Sequence, residues 1–109
     1  MNDINHITEK LLEFRDERDW EQFHNPKDLA LALNVEAGEL LELYLWKDAN
    51  EANVEKVKEE LADVFTFSFL LAERYGLDVK EIILEKIDKN KLKYPVDKSK
   101  GNAKKYTEL

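Results

Sequence analysis

The chain has 109 residues, with 24 acidic and 17 basic side chains, a formal charge of −7 and no cysteine. That length allows one domain, or one subunit of an assembly, with a modest core and much surface left over. The charge argues against tracking a nucleic-acid backbone, the missing cysteine excludes disulfides, thiolate metal sites and thiol nucleophiles, and no apolar run approaches the roughly 20 residues of a membrane span.

Leucine, alanine, glutamate and lysine dominate, and no β-branched alternation appears, so helix is expected throughout. A first helix is expected over residues 3–18, with Ile4, Ile7, Leu11 and Phe14 facing inward and Leu12 beside them. "RDWEQFHNP" then interrupts the pattern. Asn25 as N-cap and Pro26 at the first helical position open a second helix, expected to reach Trp46. "KDANEAN" is a polar connection to a third helix over about residues 51–75, stopped by Gly76, which tolerates a left-handed C-cap. Asp78 with Glu81 resembles a capping box opening a fourth helix, "DVKEIILEKIDKNKLK", ended by Tyr94-Pro95. Four helices with short loops give an all-α fold, an antiparallel four-helix bundle over residues 1–95. Residues 96–109 form a basic tail: from Lys86 onward eight lysines face only Asp88, Asp97 and Glu108. The tail is read either as a solvated terminus or as a contact for an anionic ligand. Met1-Asn2-Asp3 does not open a signal peptide, so a cytoplasmic location is expected.

Two carboxylate pairs stand where apolar residues belong. On a helical wheel Glu36 falls within the stripe of Leu29, Ala32, Leu33, Leu40 and Leu43, and Glu39 borders it. In "LADVFTFSFLLA" nearly every side is apolar, yet Glu60 and Asp63 lie close together on a face continued by Phe67 and Leu70. Interior carboxylates need compensation. Lysine or arginine partners, shared protons that raise pKa values, or a divalent metal could each supply it. The oxygen-only donor set suits Mg²⁺ or Mn²⁺. A di-iron site is disfavoured, because such sites take a Glu-x-x-His pair from each of two helices and none of these four acids stands in that relation to His6 or His24. Gly38, inside the second helix, marks either a close approach to a ligand or tight helix packing.

Glu36-x-x-Glu39 followed by Glu60-x-x-Asp63, together with "FRDERDWEQFHNPKDLALAL", "EAGELLELYLWK", "EELADV" and "KYTEL", resembles the all-α MazG-like nucleoside triphosphate pyrophosphohydrolases, in particular their dCTP pyrophosphatase branch. The resemblance implies that Glu36, Glu39, Glu60 and Asp63 bind Mg²⁺ and carry the catalysis. It implies cleavage between the α- and β-phosphates to a monophosphate and pyrophosphate, in a homo-oligomer, a tetramer before a dimer. It leaves open which acid orients the attacking water, with Glu39 one candidate. For the base it points to Trp20, Glu21, Gln22, Phe23 and His24, and to Trp46, which on the wheel projects near Glu39. Asn90, Lys91, Lys93 and Tyr94 in "KNKLKYP" are candidates for the phosphates. Leu11 and Phe67 depart from that branch, standing where it carries a substrate-contacting histidine and a tyrosine, so the pocket is expected to discriminate bases less sharply. The expected function is nucleotide-pool cleansing, with dCTP or a modified dCTP as substrate. The alternatives are a broader base range, and a non-catalytic helical oligomerisation module.

Overall fold

All regular structure among residues 3–109, which the computed structural model describes, is helical. The elements are α1 (Asp3–Glu17), α2 (Pro26–Glu42), α3 (Val54–Arg74), α4 (Val79–Lys93) and the single turn α5 (Val96–Ser99), with 3-10 turns at Glu21–Phe23, Ala49–Glu51 and Tyr106–Glu108. No helix among them is long and apolar enough to cross a membrane.

Local chemistry sets the ends. The Asn25 side chain accepts from the Asp28 N–H at 2.9 Å and Pro26 follows it, as the sequence predicts. Asp78 accepts from the Glu81 N–H at 3.0 Å and opens α4. α3 closes in a Schellman motif: the Leu77 N–H bonds to Ala72 O and the Gly76 N–H to Glu73 O, both at 2.9 Å, with Gly76 at φ 66°. α1 ends the same way without a glycine. The Trp20 N–H bonds to Arg15 O at 3.0 Å, the Asp19 N–H to Asp16 O at 3.1 Å, and Asp19 takes the left-handed position at φ 55°. For a residue with a Cβ that conformation costs roughly 1 kcal/mol, so the turn needs support from elsewhere.

Three sequence expectations require correction. The second helix stops at Glu42, not Trp46. Beyond it the N–H groups of Leu43, Tyr44 and Leu45 bond three residues back, at 3.2, 3.0 and 3.3 Å, and Trp46 turns to φ 62°. Trp46 is 100% exposed, so no packing within the chain rewards another helical turn, and its projection beside Glu39 does not hold. The third helix starts at Val54, because Asn53 caps it by accepting from the Lys56 N–H at 3.2 Å, while Ala49–Glu51 forms a separate turn. Gly38 faces open space: a Cβ there would meet no heavy atom within 4 Å, so no close approach within the chain explains it.

The chain divides into two compact units, the first ending at Leu77 and the second running from Asp78 to Leu109. In the first, α2 packs chiefly on α3, and α1 packs on α3 more lightly. Leu29, Leu70 and Ala72 are its buried hydrophobic residues, with Leu29 only 1% exposed. The buried charged residue is Arg15, at 6%. In the second unit the tail folds on the end of α4. Tyr106 meets Tyr94 edge-to-face at 6.0 Å, and the Lys93 ammonium lies 4.9 Å from the Tyr106 ring centre.

Candidate active site

α2 and α3 bring their carboxylates together, Glu36 and Glu60 half-buried and Asp63 exposed rather than interior as the sequence predicts. Oxygens of Glu36, Glu60 and Asp63 all lie within 4.8 Å of one another. Glu36 Oε2 and Glu60 Oε2 are buried without a hydrogen-bond partner. Burial is the largest cause pushing Glu36 up to about 7, followed by the neighbouring carboxylates of Glu39, Asp63 and Glu60. Glu60 is raised as well, again chiefly by burial and then by Glu39. Glu39 falls outside the triad but is near enough to perturb both. Oxygen atoms this crowded, two of them orphaned, have the donor chemistry of a hard divalent cation. Among the described residues no lysine or arginine pairs with them; the ion pairs formed by Lys58 and Arg15 go to other carboxylates.

Beside the carboxylates is a cavity of about 240 Å³, lined by Glu36 and Asp63 and by side chains from α1, α3 and the turn after α1. Its apolar wall is Leu11, Phe14, Trp20, Phe67 and Leu70. The motif ending α1 aims Trp20: its ring meets Phe14 edge-to-face, 5.7 Å between centres, the hydrophobic contact that accompanies a Schellman turn. Three polar residues complete the lining: Arg15, His24 and Thr66. His24 Nδ1 is buried without a partner, and burial, then the charges of Arg15 and Arg74, hold the imidazole below its usual pKa, so it is neutral at physiological pH. The Thr66 side chain makes no hydrogen bond among the described residues, whereas Ser68 and Thr8 bond back to carbonyls one turn earlier, at 2.7 and 3.1 Å.

The structure thus gathers Glu36, Asp63, Leu11, Trp20, His24 and Phe67 around one cavity, with Glu39 and Glu60 adjoining. Glu21, Gln22 and Phe23 do not line it. Glu21 pairs with Arg15 at 3.7 Å and Arg74 at 3.5 Å, the Gln22 amide donates to Asp19, and Phe23 is 62% exposed. Trp46 does not line it either. Asn90, Lys91, Lys93 and Tyr94 belong to the second unit, where Lys91 pairs with Asp88 at 3.8 Å and the Tyr94 N–H bonds to Asn90 O at 2.8 Å. Phe14, Arg15, Thr66 and Leu70 line the cavity without having been singled out as site residues. Arg15 stands four residues after Leu11 and so continues the inward stripe, but a charged residue there reads as surface.

The MazG-like family model matches residues 31–109. The curated relatives include dCTP pyrophosphatase 1 of Mus musculus, 44% identical, and of Homo sapiens, 42% identical. Each alignment covers 89% of this chain, which spans 62% of the length of those relatives. Among solved structures, a pyrophosphatase from Archaeoglobus fulgidus superposes with a TM-score of 0.81 at 32% identity, over 87% of this chain and 94% of that one.

Proposed function

The chain belongs to the MazG-like family, and from that premise we propose that it is a divalent-metal-dependent nucleoside triphosphate pyrophosphohydrolase. In this reading it cleaves between the α- and β-phosphates, releasing the monophosphate and pyrophosphate. The observation that carries the reading is the convergence of Glu36, Glu60 and Asp63 beside a cavity walled by Trp20, Phe67 and Leu11. A non-catalytic helical module leaves that convergence, and its orphaned oxygens, unexplained.

Glu36, Glu39, Glu60 and Asp63 would hold Mg²⁺, or Mn²⁺. When bound, such an ion neutralises triphosphate charge and lowers the pKa of coordinated water. One of these acids would orient the attacking water, and Glu39, which adjoins the triad without joining it, is the candidate. The water oxygen bonds to the α-phosphorus, its proton passes to a carboxylate, and the bridging P–O bond breaks to release pyrophosphate. Trp20 supplies a face on which a base stacks, worth roughly 1–3 kcal/mol. Neutral His24 and the Thr66 hydroxyl are the uncommitted polar groups for the base edge. For the phosphates, the assignment to Asn90, Lys91, Lys93 and Tyr94 is part of this proposal. The preferred substrate is dCTP or a 5-modified dCTP, the pyrophosphatases named among the relatives being dCTP enzymes. The apolar Leu11 and Phe67 favour a broader base range as the second reading. The role is cleansing of the cytoplasmic nucleotide pool.

The test is incubation with dCTP and Mg²⁺, followed by product analysis. dCMP with pyrophosphate is expected, and a chelator should abolish turnover. dCDP with orthophosphate would overturn the cleavage position.

We also propose a homo-oligomer, a tetramer in preference to a dimer. Leu31, Val35 and Leu41 on α2 and Leu61 and Phe65 on α3 are exposed, and Trp46 is wholly so. Apolar surface on this scale marks an interface. Sedimentation at micromolar concentration should give a multiple of 12.8 kDa, and a monomer mass would refute the assignment.

A further inference from the structure

Arg15 is the buried charged side chain among the described residues, and the chemistry proposed above gives it no task. Its guanidinium joins three segments: Nε to Asp16 of α1 at 2.8 Å, Nη2 to Glu21 of the following turn at 3.7 Å, and Nη1 to Glu73 of α3 at 3.5 Å. Arg74 of α3 holds Glu21 from a second direction at 3.5 Å. Glu21 is thereby tied to both helices, and the two cavity-lining residues of this segment, Trp20 and His24, flank it. The backbone between them and α1 carries the left-handed Asp19, a conformation that persists only where its surroundings enforce it.

We propose that Arg15 is a positioning residue for nucleotide binding: its buried fork fixes the turn that carries Trp20 and His24 against the cavity. The proposal rests on the function inferred above and extends it to a residue that borders the same cavity but whose guanidinium is committed to Asp16, Glu21 and Glu73. Stability alone is a weak reason for such a group, since a well-packed apolar side chain serves a buried position at least as well. A planar fork that donates to Asp16 and Glu73 and pairs by charge with Glu21 is suited to fixing geometry, which a lysine point charge cannot reproduce.

The test compares Arg15→Met and Arg15→Lys with the unaltered protein in two measurements. In steady-state kinetics with dCTP and Mg²⁺, Arg15→Met should raise KM about tenfold while kcat stays within about threefold, the pattern of lost binding rather than lost chemistry. Arg15→Lys should fall between the two. By amide hydrogen exchange, residues 19–24 of Arg15→Met should exchange about tenfold faster while residues 60–72 of α3 are unchanged. An unchanged KM, a fall confined to kcat, or exchange accelerated equally across α3 would overturn the positioning role. Should Arg15→Met not fold, Glu73→Gln loosens only the α3 arm and should still raise KM about threefold; no change there overturns the proposal. If the unaltered protein cleaves no triphosphate, the function proposed above fails, and exchange alone decides whether Arg15 holds the turn.

Discussion

Glu39→Gln and Asp63→Asn should each lower kcat/KM for a triphosphate by roughly a hundredfold or more, because in the proposed site each is a hard ligand or the base next to it, and several kcal/mol of transition-state charge stabilisation would depend on that set. Both proteins should stay helical. Neither residue caps a helix, and Asp63 is exposed. Without metal they should be more stable than the unaltered protein, since each removes a negative neighbour from Glu36. The pH dependence follows from the direction of the shift. Folded Glu36 keeps its proton up to about 7, against 4.5 ordinarily, and Glu60 shifts the same way, so the folded chain binds more protons than the unfolded one. Stability of the metal-free protein is then fully present below the ordinary glutamate range and declines as pH rises through about 7. Melting in chelator between pH 5 and 8 should show that decline, and Glu36→Gln should flatten it. Saturating Mg²⁺ should reverse the slope, because the ion displaces the proton. Equal slopes in Glu36→Gln and the unaltered protein would remove the proton-sharing account. Full activity in both Glu39→Gln and Asp63→Asn would remove the ligand assignment.

What could be read from the chain tracks how local the controlling physics is. Asn25-Pro26, Gly76 and Asp78 act through their own backbone and neighbours, and α2, α3 and α4 begin or end accordingly. The carboxylate pairs were legible because a helix face has a fixed period, and an acid within an apolar stripe contradicts that face wherever it finally packs. Trp46 failed for the opposite reason. Its direction follows from the wheel only if the helix continues, and within this chain the helix lacks the packing to run past Glu42. Arg15 and Thr66 lay beyond pattern altogether. A buried arginine is legible only once Glu21 and Glu73 converge on it, and a threonine becomes notable only when its hydroxyl declines the usual bond to the preceding turn. Within "WEQFH", all five residues read alike in sequence, yet the turn after α1 turns Trp20 and His24 toward the cavity and Glu21 toward two arginines.

Replacing Leu11 and Phe67 together, as Leu11→His with Phe67→Tyr, should raise the ratio of kcat/KM for dCTP over dTTP about tenfold or more. A site that hydrogen-bonds its base rejects the wrong one because buried partners are then left unpaired. In the unaltered chain both positions contribute only apolar surface to the cavity, and stacking on Trp20 is tolerant because every base has a π-face. Discrimination then falls to His24 Nδ1 and the Thr66 hydroxyl, the uncharged polar lining groups with no side-chain hydrogen bond among the described residues. Weak preference between pyrimidines is expected, with 5-substituted cytosines accepted, because a methyl or halogen meets Leu11, Phe14 or Phe67 without stranding a polar group. The measurement is the dCTP to dTTP ratio before and after the double change, with 5-methyl-dCTP as a third substrate. If the unaltered protein already selects dCTP strongly, the loss of polarity at Leu11 and Phe67 is immaterial and selection resides in His24 and Thr66. Thr66→Val, which keeps the shape and deletes the hydroxyl, should then collapse the ratio while leaving hydrolysis of the less favoured triphosphate intact.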